Sequence, residues 1–137
     1  MRGYSIDPDP ARLDVELLHK WLSTDAYWAM GRSRETVERS IAHSLVYGLY
    51  APDGHQVGFA RVVTDRAVFA YLCDVYVDPS ARGGGLGTWF VKSVCDAVRA
   101  DGVRRLMLAT ADAHGLYAKL GFTPLTEPHK WMEIYPA

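Results

Sequence analysis

One stretch of the chain has the composition of an anion cradle: Val75-Tyr76-Val77-Asp78-Pro79-Ser80-Ala81-Arg82-Gly83-Gly84-Gly85-Leu86-Gly87-Thr88. A β-rich run enters a turn carrying four glycines, and an amphipathic helix follows at once. Glycines let backbone N–H groups converge without Cβ interference. A helix N-terminus adds unpaired donors and partial positive charge, and Arg82 adds a full one. That combination suits a pyrophosphate; its bland alternative is a tight strand-to-helix turn. The pattern is not a Walker loop, because no lysine lies between Asp78 and Phe90. It is not a dinucleotide fingerprint either, since the third glycine's place is taken by Phe90 and the loop lies past the middle of the chain.

A second segment, Ala113-His114-Gly115-Leu116-Tyr117-Ala118-Lys119-Leu120-Gly121-Phe122, follows in the next predicted strand-helix unit. With Arg82-x-x-Gly85-x-Gly87 and then Tyr117 ahead of Gly121-Phe122, the chain resembles the GNAT superfamily of acyl-CoA-dependent N-acetyltransferases. The resemblance implies a single domain over 1–137 with a mixed, mostly antiparallel sheet, two splayed parallel strands and helices on both faces. It also implies acetyl-CoA as co-substrate, with its pantetheine arm along Val75, Tyr76 and Val77. The amides of Gly83, Gly84, Gly85, Leu86, Gly87 and Thr88, beside Arg82, would hold the pyrophosphate. Thr110 stands where many members have a cofactor-contacting asparagine, and its hydroxyl can also hydrogen-bond.

For chemistry, the resemblance puts Tyr117 beside the thioester sulfur, where a phenol can protonate the leaving thiolate; the alternative is helix packing. A backbone N–H near Val75 would serve the oxyanion. Asp74 alternates with Val75 and is expected as a proton acceptor or a cation-binding group, against a structural role at a bulge; His114 is a second candidate base. Cys73 reads as an inert buried thiol. The acceptor pocket would be lined by Tyr27, Trp28 and Arg32 from the loop between the first two helices, and by Trp131 with His129 and Tyr135 from a last hairpin. Aromatic walls suit a flat or cationic molecule, and Arg32 suits a carboxylate.

The elements that must position these residues follow from periodicity. A short strand covers Gly3 to Ile6, and Leu13, Leu17, Leu18, Trp21 and Leu22 predict a helix from about Ala11 to Leu22. Ser33 reads as the N-cap of a second helix through Val37 and Ile41. Runs 45–51, 57–64 and 68–77 predict an antiparallel meander, the first two joined by Pro52-Asp53-Gly54. Leu86, Phe90, Val94, Ala97 and Val98 share one helix face, with Gly102 beyond its end. A strand at 104–110, a short helix capped by Asp112 and ending near Leu120, and a hairpin of 122–125 with 130–135 complete the α/β reading.

Composition limits the alternatives. The 137 residues are 49% hydrophobic and 23% charged with net charge -1, as expected of one globular domain and not of a polyanion binder. No apolar run approaches the roughly 18–20 residues of a membrane-spanning helix. The N-terminus lacks a secretory pattern, and two cysteines with five scattered histidines make no metal framework. The expectation is a cytoplasmic enzyme with no metal, no nucleic-acid partner and no membrane partner, acting on a small-molecule amine. The rival readings are a silent acyl-CoA sensor and an acetyltransferase of protein N-termini or lysines. A homodimer is possible through the edge of the last hairpin.

Overall fold

The computed structural model describes residue 1 and residues 3–136. Strands β1 (Ser5–Asp7), β2 (Leu45–Tyr50), β3 (Gln56–Thr64), β4 (Phe69–Val77) and β5 (Arg105–Met107) form one sheet in sequence order. The first four pair antiparallel, and β4 pairs β5 parallel. Helices α1 (Val15–Thr24) and α2 (Arg34–Ala42) cover one face, and α3 (Leu86–Ala100) covers the other. A short helix, α4 (His114–Lys119), follows β5. This is the mixed sheet with helices on both faces that the sequence predicts.

Local chemistry sets the helix starts. Asp14 accepts from the Leu17 N–H at 3.0 Å and caps α1, so that helix begins at Val15 and not at Ala11. The residues before it form a single 3-10 turn, Pro10–Arg12, ended by the extended backbone of Leu13. Ser33 caps α2 as expected, accepting from the Thr36 N–H at 3.1 Å. On α3 the buried face consists of Leu86, Phe90, Val91, Val94, Cys95 and Val98; Ala97 is exposed. The cap of α4 is not Asp112. Ala113 takes that place with no side-chain cap, and the Thr110 hydroxyl oxygen accepts from the Ala113 N–H at 3.1 Å just before the helix.

The expected last hairpin is absent. No strand forms beyond Met107 among the described residues; the chain makes a 3-10 turn at Pro128–Lys130. Pro124 lies within the first of the two runs and cannot donate to a ladder, and Pro128 opens the turn. The strand expected at 104–110 also shortens to three paired residues.

The meander carries one irregularity that matters. Cys73 opposes Arg61 and Tyr76 opposes Phe59, so Ala60 faces both Asp74 and Val75. This is a β-bulge on β4. It flips the parity of the strand. Ala70 and Leu72 point into the core beneath α3, whereas beyond the bulge Val75 and Val77 do so and Tyr76 joins the core under α1 and α2. Asp74, at the bulge, holds a left-handed φ of 52°, which a non-glycine residue adopts at a cost.

Candidate active site

β4 and β5 stay paired only through Phe69↔Arg105, Ala70↔Leu106 and Tyr71↔Met107. Beyond Tyr71 the two chains part while β4 runs on to Val77. The gap holds a cavity of about 500 Å³, walled by residues 71–75 on one side and 108–113 on the other, with Tyr27, Trp28 and Tyr117 around it. Tyr27 and Trp28 meet edge-to-face, with ring centroids 5.0 Å apart.

Tyr117 reaches this gap from α4 and packs edge-on against Phe122 at 5.8 Å. Burial pushes its phenol up to about 12. The group is therefore protonated at neutral pH and available as a donor. Cys73 also lines the gap, and burial pushes its thiol up to about 11, which leaves it a poor nucleophile.

Asp74 is 4% exposed, and its two carboxylate oxygens are fully engaged. The Trp28 indole N–H donates to Oδ1 at 2.9 Å; Arg32 and Arg61 donate to Oδ2 at 2.7 and 2.9 Å. Burial works to raise this carboxyl, but the Arg61 and Arg32 guanidiniums outweigh it and hold it below the usual carboxylate value. A carboxylate held this way takes up a proton poorly. The geometry makes Asp74 the anchor of the loop carrying Trp28 and Arg32, an arrangement that fits the structural role at the bulge better than that of base. Arg61 was not singled out by sequence, although an arginine inside the apolar run of β3 was a visible signal.

At the end of β4, Asp78 organises the turn. Its carboxylate accepts from the Ser80 N–H at 2.9 Å and from the Ser80 hydroxyl at 2.8 Å. Gly83 and Gly85 hold left-handed φ of 99° and 78°, so their glycines are required by the backbone. Gly84 differs in holding no left-handed φ, and a Cβ there, as at its two neighbours, would meet nothing within 4 Å. Its openness leaves room for a ligand against the main chain. Gly85 caps α3 without any side-chain partner, so the first amides of a helix of 15 residues lack a side-chain acceptor. An unobstructed cradle of donors beneath a helix N-terminus fits a diphosphate.

Two expected cofactor contacts are otherwise engaged. Arg82 folds back, donating from Nε to the Val77 carbonyl at 2.7 Å and lying 5.3 Å over the Tyr76 ring. Its guanidinium is 3.9 Å from Asp25, whose carboxylate also accepts from the Tyr76 hydroxyl. Asp25 was not anticipated from sequence. The oxygen of Thr110 accepts from the Asp112 and Ala113 amides in the turn before α4, which leaves its O–H as the donor.

Among the expected acceptor residues, Tyr27 and Trp28 line the gap and Arg32 sits behind Asp74. Trp131 does not join them. It lines a separate groove beyond β5, with the Arg105 guanidinium 5.1 Å over its ring. The expectation placed it by a hairpin that does not form. Among the described residues no three His, Cys, Asp or Glu side chains are grouped to hold a metal ion, and no helix is long and apolar enough to cross a membrane.

Comparison with known proteins agrees with this geometry. Residues 15–122 match the acetyltransferase (GNAT) family. The chain is 30% identical to serotonin N-acetyltransferase 2, chloroplastic, of Oryza sativa subsp. japonica, covering 98% of this chain and 68% of that protein. A crystal structure of a GNAT-family protein from Xanthomonas campestris pv. campestris superposes with a TM-score of 0.93 at 45% identity, covering 99% of this chain and 95% of that one. The fold also recurs in N-acetylglutamate synthase from Neisseria gonorrhoeae, complexed with coenzyme A and N-acetyl-glutamate, at TM-score 0.73 and 24% identity over 90% of this chain and 29% of that one. The chain belongs to the acetyltransferase (GNAT) family.

Proposed function

We propose that this acetyltransferase moves an acetyl group from acetyl-CoA to the primary amine of a small molecule, by direct attack. The carrying observation is the gap between β4 and residues 108–113, which has the glycine cradle at the end of β4 and the protonated Tyr117 at its wall. Coenzyme A supplies an activated thioester carbon. Gly83 to Thr88 would bind its diphosphate, and the edge of β4 at Val75 and Tyr76 would pair with its arm as an added strand does. The Val77 carbonyl is already taken by Arg82.

In the reaction the amine nitrogen bonds to the thioester carbon and the carbon–sulfur bond breaks. The phenol proton of Tyr117 goes to the departing thiolate, and solvent restores it. The proton lost by the amine leaves to water in the gap. The bulge supports oxyanion binding, because Asp74 and Val75 share a single β3 residue, Ala60, and the ladder is interrupted there.

The lining suits an amine: its aromatic wall is Tyr27 and Trp28, and its charged residues are the carboxylates Asp74 and Asp112. The test is a CoA-thiol release assay over amino acids, arylalkylamines, polyamines, amino sugars and peptides. Turnover of a small amine above peptides is expected. No release with any amine, despite CoA binding, would turn the reading toward a silent sensor.

A further inference from the structure

The charged side chains along the gap are both acidic, Asp74 and Asp112, and among the described residues no lysine, arginine or histidine lines it. Asp74 is engaged by Arg32, Arg61 and Trp28. Asp112 is not engaged. Every other aspartate of the chain accepts a hydrogen bond from a cap, a turn amide or a side chain. The Asp112 carboxylate has no such partner among the described residues, and α4, which starts two residues later, has no side-chain cap. Its backbone is nonetheless fixed. The Tyr27 hydroxyl oxygen accepts from the Ala111 N–H at 3.0 Å, and Thr110 Oγ1 accepts from the Asp112 and Ala113 amides at 3.4 and 3.1 Å. Consecutive amides bound to hydroxyls thus hold Asp112 at the rim of the gap, next to the contact with Tyr27. Tyr27 and Trp28 are each 46% exposed there.

We propose that Asp112 is a specificity residue: it takes a second positive charge on the acceptor, so that the preferred substrate is a small amine bearing a further cationic group. This rests on the acetyl-transfer reading above. The cation that Asp112 takes is not the nucleophile. A carboxylate beside an ammonium favours its charged form, and a protonated nitrogen has no electron pair to give the thioester carbon. The reacting nitrogen therefore belongs near Tyr117, which is half-buried at the wall, while the second charge stays at the exposed rim. Aromatic faces attract cations, so Tyr27 and Trp28 act on the same group as the carboxylate does. Asp74 does not serve this purpose, because Arg32 and Arg61 already neutralise it from behind and neither lines the gap. Asp112 and Tyr117 also share one field. Burial chiefly raises the Tyr117 phenol, and the Asp112 charge acts in the same direction.

The test uses a matched pair of acceptors with the full chain: aminopropyl-trimethylammonium, whose quaternary nitrogen cannot be acetylated, and its uncharged isostere with carbon in place of that nitrogen. CoA-thiol release is expected to show a higher kcat/KM for the cation, mainly through KM. Asp112→Asn is expected to shrink that preference about fivefold, and Asp112→Glu, which keeps the charge, to retain most of it. Comparing chains on the same pair cancels the difference in basicity between the two amines. Asp112 is exposed and caps nothing, so both variants are expected to keep the wild-type Tm and the coenzyme A thermal shift. This separates acceptor recognition from folding and from cofactor binding. A preference unchanged in Asp112→Asn, or lost equally in Asp112→Glu, would overturn the role of Asp112. A wild type that accepts uncharged amines and shows no preference for the cation would overturn the proposal and leave acetyl transfer intact. No release from any amine, despite coenzyme A binding, would overturn the acetyl-transfer reading and this inference with it.

Discussion

Tyr27 and Trp28, adjacent in sequence, hydrogen-bond to opposite walls of the same gap. The Tyr27 hydroxyl oxygen accepts from the Ala111 N–H at 3.0 Å, and the Trp28 indole donates to Asp74 at 2.9 Å. The loop between α1 and α2 thus bridges the gap from the β4 bulge to the segment after β5. It is held from behind too, where the Arg32 carbonyl lies 2.9 Å from Nε2 of His19. Access of an acceptor depends on this bar.

Tyr27→Phe removes one end of the bar and keeps its aromatic wall. Losing a single hydrogen bond costs about 0.5–1.5 kcal/mol. The expected outcome is faster hydrogen exchange at the Ala111 amide and a raised KM for the acceptor, with coenzyme A affinity kept. An unchanged Ala111 amide would mean that the contact does not hold the loop in solution.

Asp74→Asn tests the anchor against the base. The amide can still accept from Trp28, but Arg32 and Arg61 lose their counter-charge. Breaking a buried ion pair from one side costs about 3–5 kcal/mol, so a lowered Tm and a looser 25–32 loop are expected. Because the folded carboxyl titrates below its unfolded value, its stabilisation is present at neutral pH and disappears as pH falls through the folded pKa. The wild type should therefore lose stability in acid more steeply than Asp74→Asn. If Asp74 were the base, the substitution would instead abolish an acidic limb of the kcat profile while leaving Tm unchanged.

What sequence could and could not reveal divides by the range of the interaction. The glycine turn and Tyr117 were legible because their geometry is local: a strand, positive φ at Gly83 and Gly85, and a helix follow one another in the chain. Asp74 was visible only as an alternating carboxylate. Its partners lie 42, 46 and 13 residues away, and only the folded sheet brings Arg32, Trp28 and Arg61 to it. The last hairpin was over-read for a related reason. β-rich composition states what a segment would do with a partner, and residues 131–135 have none within their own described chain.

Gly84→Glu separates a ligand cradle from a structural turn. Gly84, unlike Gly83 and Gly85, holds no left-handed φ, and a side chain there meets open space. The fold should keep its Tm. A carboxylate at the cradle would repel a diphosphate, so the thermal shift produced by coenzyme A should vanish. An undiminished shift would show that the diphosphate binds elsewhere.

Tyr117→Phe removes only the hydroxyl from the gap. General acid assistance is worth about 10²–10⁴-fold, so kcat should fall by that order while the coenzyme A thermal shift is retained. Burial holds the wild-type phenol protonated up to about 12, so the wild-type profile should show no loss from Tyr117 ionisation across the neutral range. The folded protein should instead lose stability above the unfolded tyrosine value near 10, where the unfolded phenol ionises and the buried one does not. The variant should lose Tyr117's share of that alkaline slope together with the acid, while Tyr76, also raised by burial, keeps its own. If turnover persists while the slope becomes shallower, Tyr117 is a packing residue and the thiolate takes its proton from water.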